Sequence, residues 1–268
     1  MIPTLLRIGP VNVGTHDFFV GLAVLAAAVP FFYEARRRGM ISDQLYFVVG
    51  ATLIAGAIGA KLSTVWEYLL AAPHPTLLGA WIDGGRSVLG GLAFAYAGAL
   101  IGKRIAGYKL PTGDLFAPAV ALGLAVGRWG CFLTEQVGTP TNLPWGIRLT
   151  PEQAARIPQC PSYCAAGVPM HPSFLYEILF QAAMFGVLWW LRPRVHKPGE
   201  LFKIYLISYG VFRFAVEFVR GNAIVFAGLT RPQLFLIPTT LLLALYFLRS
   251  YGRNLGRRPA RALDPTPA

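Results

Sequence analysis

Residues 114–146 read DLFAPAVALGLAVGRWGCFLTEQVGTPTNLPWG. No charge interrupts the run from Leu115 to Gly127. Arg128 then stands against Trp129 and Gly130, and Glu135 follows seven positions later. Beyond it the chain becomes a polar loop rich in Pro, Thr and Asn. A long uncharged run that ends on an arginine at its edge reads as a membrane helix, because hydrocarbon excludes ionised side chains unless they face a cavity or a partner.

The rest of the chain agrees. Of its 268 residues, 55% are hydrophobic and only 13% are charged, and the mean hydropathy is +0.52. Soluble domains carry about 25% charged residues. The apolar residues fall in long runs separated by short basic clusters, not in the period-two alternation of a membrane β-barrel. The net charge of +12 lies mostly in short loops between apolar runs, where it sets topology, and no nucleic-acid partner is expected. The first residues lack a charged stretch followed by a small-residue cleavage site, so no cleavable signal peptide is expected.

Seven apolar segments are expected, over 16–33, 44–66, 87–102, 114–133, 172–191, 201–220 and 232–249. Each is about long enough to cross ~30 Å of hydrocarbon at ~1.5 Å per residue, the third only just. Basic residues follow alternate segments: Arg36, Arg37 and Arg38; Lys103, Arg104 and Lys109; Arg192, Arg194 and Lys197; and Arg249, Arg253, Arg257, Arg258 and Arg261. The fold class is therefore all-α, a polytopic membrane protein of seven transmembrane helices with its N-terminus outside and its C-terminus cytoplasmic. One membrane domain is expected over 1–253, including an irregular extracytoplasmic loop over 134–171. A basic, Pro-rich tail over 254–268 is expected to be disordered. Cys160 and Cys164 lie in that loop and are placed to form a disulfide if it is extracytoplasmic.

Small residues recur inside the segments, among them Gly56, Gly59, Gly98, Gly123 and Gly127. Their plain reading is close helix packing, which in lipid requires small interfaces. The pairs Gly84-Gly85 and Gly90-Gly91 flank Arg86 and Ser87 and also read as a place where a ligand approaches the backbone. No internal repeat of the kind found in duplicated transporters is visible.

Ionisable groups cluster toward the outer ends of the segments. They are Arg86, Arg128, His171 and Glu177 in HPSFLYE, and Arg213, Glu217 and Arg220 in YGVFRFAVEFVRG, with Lys61 and Glu67 in the second segment. Arg213 and Glu217 are four apart and share a helix face with Tyr209. Each has a bland reading, as an ion pair or a snorkelling side chain. Several arginines and few carboxylates at one depth make a net-positive pocket, and guanidinium groups suit bidentate contact with phosphate oxygens. The anion at that depth is a phospholipid headgroup. A solute transporter would instead spread its charges through the bilayer.

These motifs resemble those of the prolipoprotein diacylglyceryl transferase family. GRWGCF with Glu135 and Gly138, then PTNLPWGI, is similar to its signature, and HPSFLYE, YGVFRFAVEFVR and DGGRSVLGGL resemble three further elements. The resemblance runs from about Gly50 to Arg220. It implies transfer of the diacylglyceryl group of phosphatidylglycerol to the lipobox cysteine thiol of a preprolipoprotein, with release of glycerol phosphate, at a bacterial inner membrane. It implies no cofactor and no metal. The implied catalytic set is Arg128, Arg213, Glu217, Glu135 and His171. The implied headgroup set is Arg86, Arg128, Tyr209, Arg213 and Arg220, with Gly127, Gly130 and Gly138. In it, Arg128 and Arg213 bind the phosphate or headgroup, Glu135 and Glu217 orient those arginines or polar headgroup groups, and Tyr209 adds a hydrogen bond.

The chain departs from that pattern in places. The family's histidine before the second glycine pair is Leu89, which moves no proton, and the signature's usual asparagine is Cys131. The run from Cys131 to Glu135 is one residue shorter than usual, and His16 and Asp17 stand near a position where the family often has tyrosine. Either His171, Glu217 or Glu135 takes the thiol proton, or a nearby arginine lowers the thiol pKa enough that little base is needed. The alternatives are a transferase with another acceptor and a non-catalytic phospholipid-binding or translocating protein.

Overall fold

The structure, a computed structural model, describes residues 4–8, 11–71, 74, 76–82, 85, 87–135, 138–155, 166–195 and 197–255. A short antiparallel hairpin, β1 (Thr4–Ile8) and β2 (Val11–Gly14), opens the chain. There follow α1 (Thr15–Arg37), α2 (Asp43–Ala71), α3 (Leu77–Ile82), α4 (Val88–Ala106) and α5 (Gly113–Thr134). The loop after α5 carries β3 (Ile147–Arg148), α6 (Pro151–Ala155) and β4 (Pro169–Met170). Then come α7 (Ser173–Leu191), α8 (Glu200–Val216), a 3₁₀ turn (Glu217–Val219), the hairpin β5 (Ile224–Phe226) and β6 (Leu229–Thr230), and α9 (Arg231–Leu255).

The chain is mostly helical, as the apolar runs require. Among the described residues, α1, α2, α4, α5, α7 and α9 are long and apolar enough to cross a membrane. Their exposed positions are large apolar side chains such as Leu25, Val29, Ile54 and Leu242, a surface that lipid covers better than water. The segment expected over 201–220 is α8, of 17 residues, which tightens into the 3₁₀ turn at Glu217 and so ends before the expected boundary. The third segment starts where expected, Ser87 capping it with its Oγ accepting from Gly90 N at 3.1 Å, and is longer than expected because it runs on to Ala106 before Gly107 stops it.

The chain forms two compact units, residues 1–29 with 113–268 and residues 30–112. In the second, α2 and α4 pack through small residues. A Cβ on Gly98 would lie 2.4 Å from Ala55 Cβ and 2.7 Å from the Ala51 carbonyl, so the two backbones touch where any side chain would part them. Gly90 and Gly91 serve the same interface, against Ser63 and Ala60. Their reading as a ligand approach gives way to packing. Leu89 is on the first turn of α4, in this unit. Arg86 and Gly84 lie outside the described residues.

In the first unit α5 packs on α7 and α8, and α8 on α9. The start of α8 is set by a residue far away in sequence. The Asp114 carboxylate, at the start of α5, accepts from Gly199 N (2.8 Å), Leu201 N (3.0 Å) and Phe202 N (3.3 Å). These are backbone donors that the first turn of a helix leaves without partners. The loop expected to be irregular is more ordered than its Pro and Gly content indicates. Within it Ile147 pairs with Met170, Arg148 with Pro169, and Pro140 bridges Met170. Cys160, Cys164 and the tail from Gly256 lie outside the described residues, and α9 extends to Leu255.

Candidate functional site

Three helices of the first unit bring charge to one place. Arg128 comes from the last two turns of α5, Glu177 from the second turn of α7, and Tyr209 and Arg213 from the last two turns of α8. Glu217 opens the 3₁₀ turn and Arg220 follows it. All six are buried but Arg220, which is 14% exposed.

Glu177 is the hub. Its Oε1 lies 2.8 Å from Arg128 Nη2 and accepts from the Tyr209 hydroxyl at 2.7 Å. Its Oε2 is 3.5 Å from Arg220 Nη1, beyond good hydrogen-bonding distance. The Phe174 ring, one turn before Glu177, lies between two guanidinium groups, its centroid 5.8 Å from Arg128 Cζ and 4.4 Å from Arg220 Cζ. Arg128 Nε, Glu177 Oε2 and Arg220 Nη1 are buried without hydrogen-bond partners among the described residues. Buried polar atoms left in that state mark where a polar ligand belongs.

Glu217 is a second hub. It pairs with Arg213 one turn away on the same helix. Its Oε1 also accepts from Asn222 Nδ2 and, at 2.9 Å, from Thr230 Oγ1. Gln233 reaches back to Thr230 N at 2.9 Å, so α9 begins with a capping pair that also fixes the Glu217 carboxylate. Arg213 is thus committed to a carboxylate held from three sides. A cavity of about 150 Å³ adjoins this network, lined by Glu135, Phe174, Arg220, Gly221 and Asn222. Arg220 is the cation that faces it.

The loop is fastened to the site at Gly138. Gly138 N donates to the His171 carbonyl (2.8 Å), His171 N to the Thr139 carbonyl (2.8 Å), and Thr139 N to the Val219 carbonyl (2.9 Å). A Cβ on Gly138 would meet Val219 O at 2.0 Å. Only glycine lets the loop lie between the start of α7 and the turn that carries Arg220.

His171 stands at the entrance to α7. Its Nδ1 is 3.1 Å from the Tyr176 hydroxyl, which accepts from Trp145 Nε1 at 2.8 Å. An indole N–H only donates, so the phenolic proton is left to point at Nδ1. Burial lowers the imidazole pKa, which favours the same neutral form. His171 is therefore tied to the loop, and its Nδ1 lone pair is occupied.

At the other edge, His16 Nε2 is 3.8 Å from Glu135 Oε1 and Nδ1 is 4.0 Å from Asp17 Oδ1. A ring nitrogen of His16, Cys131 Sγ and a carboxylate oxygen of Glu135 lie within 4.8 Å of one another. Arg128 Nη1 points at Cys131 Sγ from 3.6 Å. This is a triad of ligand types that suits a metal, with a guanidinium beside it that opposes a cation.

The sequence-read residues thus come together unevenly. Arg128, Tyr209, Arg213, Glu217 and Arg220 form the buried network, and Glu135 lines the cavity beside it. Arg128 is held by Glu177, a carboxylate counted among the intramembrane charges but given no role. Gly127 and Gly130 face α1: a Cβ on Gly127 would lie 3.3 Å from Ala23 Cβ, and one on Gly130 3.2 Å from His16 Cα. At both positions the small residue lets α5 pack against α1. Asn222, Thr230 and Gln233 were missed. The Thr-x-x-Gln spacing before an apolar run was the available signal for the last two, while Asn222 had none.

The family model described as prolipoprotein diacylglyceryl transferase matches residues 3–249. Proteins named phosphatidylglycerol--prolipoprotein diacylglyceryl transferase are similar along most of their length. That of Trichormus variabilis is 32% identical over 244 residues, covering 86% of this chain and 83% of its own. That of Bordetella parapertussis is 31% identical over 264 residues, covering 89% and 91%. That of Pseudomonas putida is 30% identical over 272 residues, covering 96% and 97%. With matches of this extent falling on the motifs that carry the buried arginines, the chain is a membrane protein that belongs to the prolipoprotein diacylglyceryl transferase family.

Proposed function

We propose that this chain transfers the diacylglyceryl group of phosphatidylglycerol to the lipobox cysteine of a preprolipoprotein, at the outer side of a bacterial inner membrane. One observation carries the reading. Among the described residues, three guanidinium groups, of Arg128, Arg213 and Arg220, meet two buried carboxylates, of Glu177 and Glu217. Arg220, whose Nη1 is 3.5 Å from the Glu177 carboxylate, faces a cavity that Glu135 also lines, and a guanidinium so placed suits a phosphate oxygen.

The chemistry follows from that charge. The acceptor thiolate attacks the glyceryl carbon, the carbon–sulfur bond forms, and the carbon–oxygen bond to phosphate breaks. The phosphate gains negative charge as it leaves. On this reading Arg220, which lines the cavity and whose Nη1 has unused hydrogen-bonding capacity, holds that charge, already oriented before the reaction begins. Arg128 and Arg213 are locked by Glu177 and Glu217, so their contribution is a fixed field more than a moving contact. No redox step is involved.

The alternation of basic loops supports seven spans with the N-terminus outside, α8 being the seventh despite its length. On that orientation the network lies toward the outer leaflet, where an exported acceptor arrives. The test is incubation of the full-length protein with labelled phosphatidylglycerol and a lipobox-cysteine peptide. Thioether product with released glycerol phosphate is the expected result. Lipid bound without either product would instead make the chain a phospholipid-binding protein.

A further inference from the structure

Leu89 leaves the chain without the family's histidine at that position, and His171 has its Nδ1 lone pair engaged by Tyr176. We infer that His16, on the first turn of α1, is the general base that takes the proton of the acceptor cysteine, with Glu135 and Asp17 as its positioning carboxylates. The inference rests on the transferase reading above.

Four features of the geometry support it. His16 Nε2 faces Glu135 Oε1 at 3.8 Å, and Glu135 lines the cavity onto which Arg220 opens. The imidazole therefore lies beside the place where the phosphate is held. Asp17 Oδ1 lies on the Nδ1 side at 4.0 Å, so the ring has a carboxylate near each nitrogen. The two side chains are 31% and 44% exposed at His16 and Glu135, open enough for an incoming thiol to reach. Finally, Gly130 allows the close approach: a side chain there would strike His16 Cα and the His16 carbonyl. Further charged or titratable groups nearby include Cys131, within 4.8 Å of the pair, and Arg128, 3.6 Å from its sulfur. That guanidinium opposes a bound divalent cation here.

The step balances simply. The acceptor S–H bond breaks and its proton passes to His16 Nε2. The sulfur electron pair forms the bond to the glyceryl carbon as the electron pair of the C–O bond leaves with the phosphate. The imidazolium then returns its proton to water. A positioned base of this kind contributes about 10²–10⁴-fold.

The experiment compares full-length wild type, His16→Gln, Glu135→Gln and Leu89→His in the phosphatidylglycerol and lipobox-peptide assay from pH 6 to 10, with phosphatidylglycerol binding measured separately. For His16→Gln we expect a fall of about 10²-fold or more at pH 7. The loss should shrink as the pH passes the ordinary thiol range near ~8.5, where the acceptor ionises unaided. Lipid binding should be unchanged. Glu135→Gln should move the rising limb of the pH profile without abolishing it, and Leu89→His should leave the rate within about twofold. A wild-type rate in His16→Gln would overturn the assignment, as would an equal loss at every pH or a large gain in Leu89→His. So would a wild-type rate that is lost with a chelator and restored by zinc. If wild type itself forms no thioether, the transferase reading falls with the base. An active wild type with an active His16→Gln removes the base alone.

Discussion

Glu177 Oε1 lies 2.8 Å from Arg128 Nη2, with both side chains sealed from solvent. The two come from different helices, α7 and α5, and this contact joins the family signature to the HPSFLYE motif. Removing one partner strands the other as a buried, unpaired charge, which costs about 3–5 kcal/mol. Glu177→Gln and Arg128→Met should each lower the melting temperature in detergent and abolish transfer. The double variant Arg128→Met/Glu177→Leu should recover part of the stability, since Arg220 and the Tyr209 hydroxyl still lose Glu177, but none of the activity. Recovery of transfer in the double variant would show that the pair is structural only.

Arg220 is the least committed of the three arginines. Its Nη1 is 3.5 Å from the nearest carboxylate oxygen and its side chain faces the cavity. Arg220→Ala should therefore reduce kcat/KM by about 10²–10³-fold, in the range for loss of one preorganised donor, with a smaller shift in melting than Glu177→Gln. Arg220→Lys should restore little, because an ammonium on a flexible stem does not reproduce the planar fork. The ratio of activity loss to melting shift is the quantity to measure.

Gly138 and Gly186 give a matched pair of alanine substitutions. A Cβ at Gly138 would lie 2.0 Å from a backbone carbonyl, whereas at Gly186 on α7 nothing lies within 4 Å. Gly138→Ala should detach the loop from Val219, displace the turn carrying Arg220, and lower both activity and melting temperature. Gly186→Ala should leave both within error. Transfer rates and thermal melts of the two variants test this together.

Asp114 holds three backbone N–H groups at the start of α8. Asp114→Ala leaves them without an acceptor and should cost about 1–3 kcal/mol. Because α8 carries Tyr209 and Arg213 at its far end, activity should fall along with stability, and Asp114→Asn should keep part of both. An unchanged melting temperature in Asp114→Ala would remove its role in starting the helix.

His171 makes stability depend on pH in a defined direction. Burial depresses its folded pKa below the ordinary value of about 6.5, so the unfolded chain binds the proton more readily. Its contribution is fully present above about pH 6.5 and is lost as the pH falls through that value toward the folded pKa. Melting temperatures should decline from pH 6.5 downward, and His171→Gln should flatten that slope. A slope of equal size in the variant would assign the pH dependence to other groups.

The apolar runs determine where the helices lie, because length against bilayer thickness and the exclusion of charge are local properties. The start of α7 was legible to within a residue, and so was the list of charges that do not belong in hydrocarbon. Gly98 and Gly123 read correctly as packing positions for the same reason: a small residue in an apolar run has few other uses. Which charge meets which was not legible. Arg213 and Glu217 share one helix, so spacing reveals their pairing. Arg128 pairs with Glu177 of α7, far from it in sequence, because packing turns α5 and α7 toward each other. The Asp114 contact with α8, the insertion of Gly138 beside Val219, and the meeting of His16 with Glu135 are of the same kind. The sequence determined the membrane helices and the surplus of arginine over carboxylate. Only tertiary packing decided which arginine remained to meet a phosphate, because that depends on how helices distant in sequence rotate against one another.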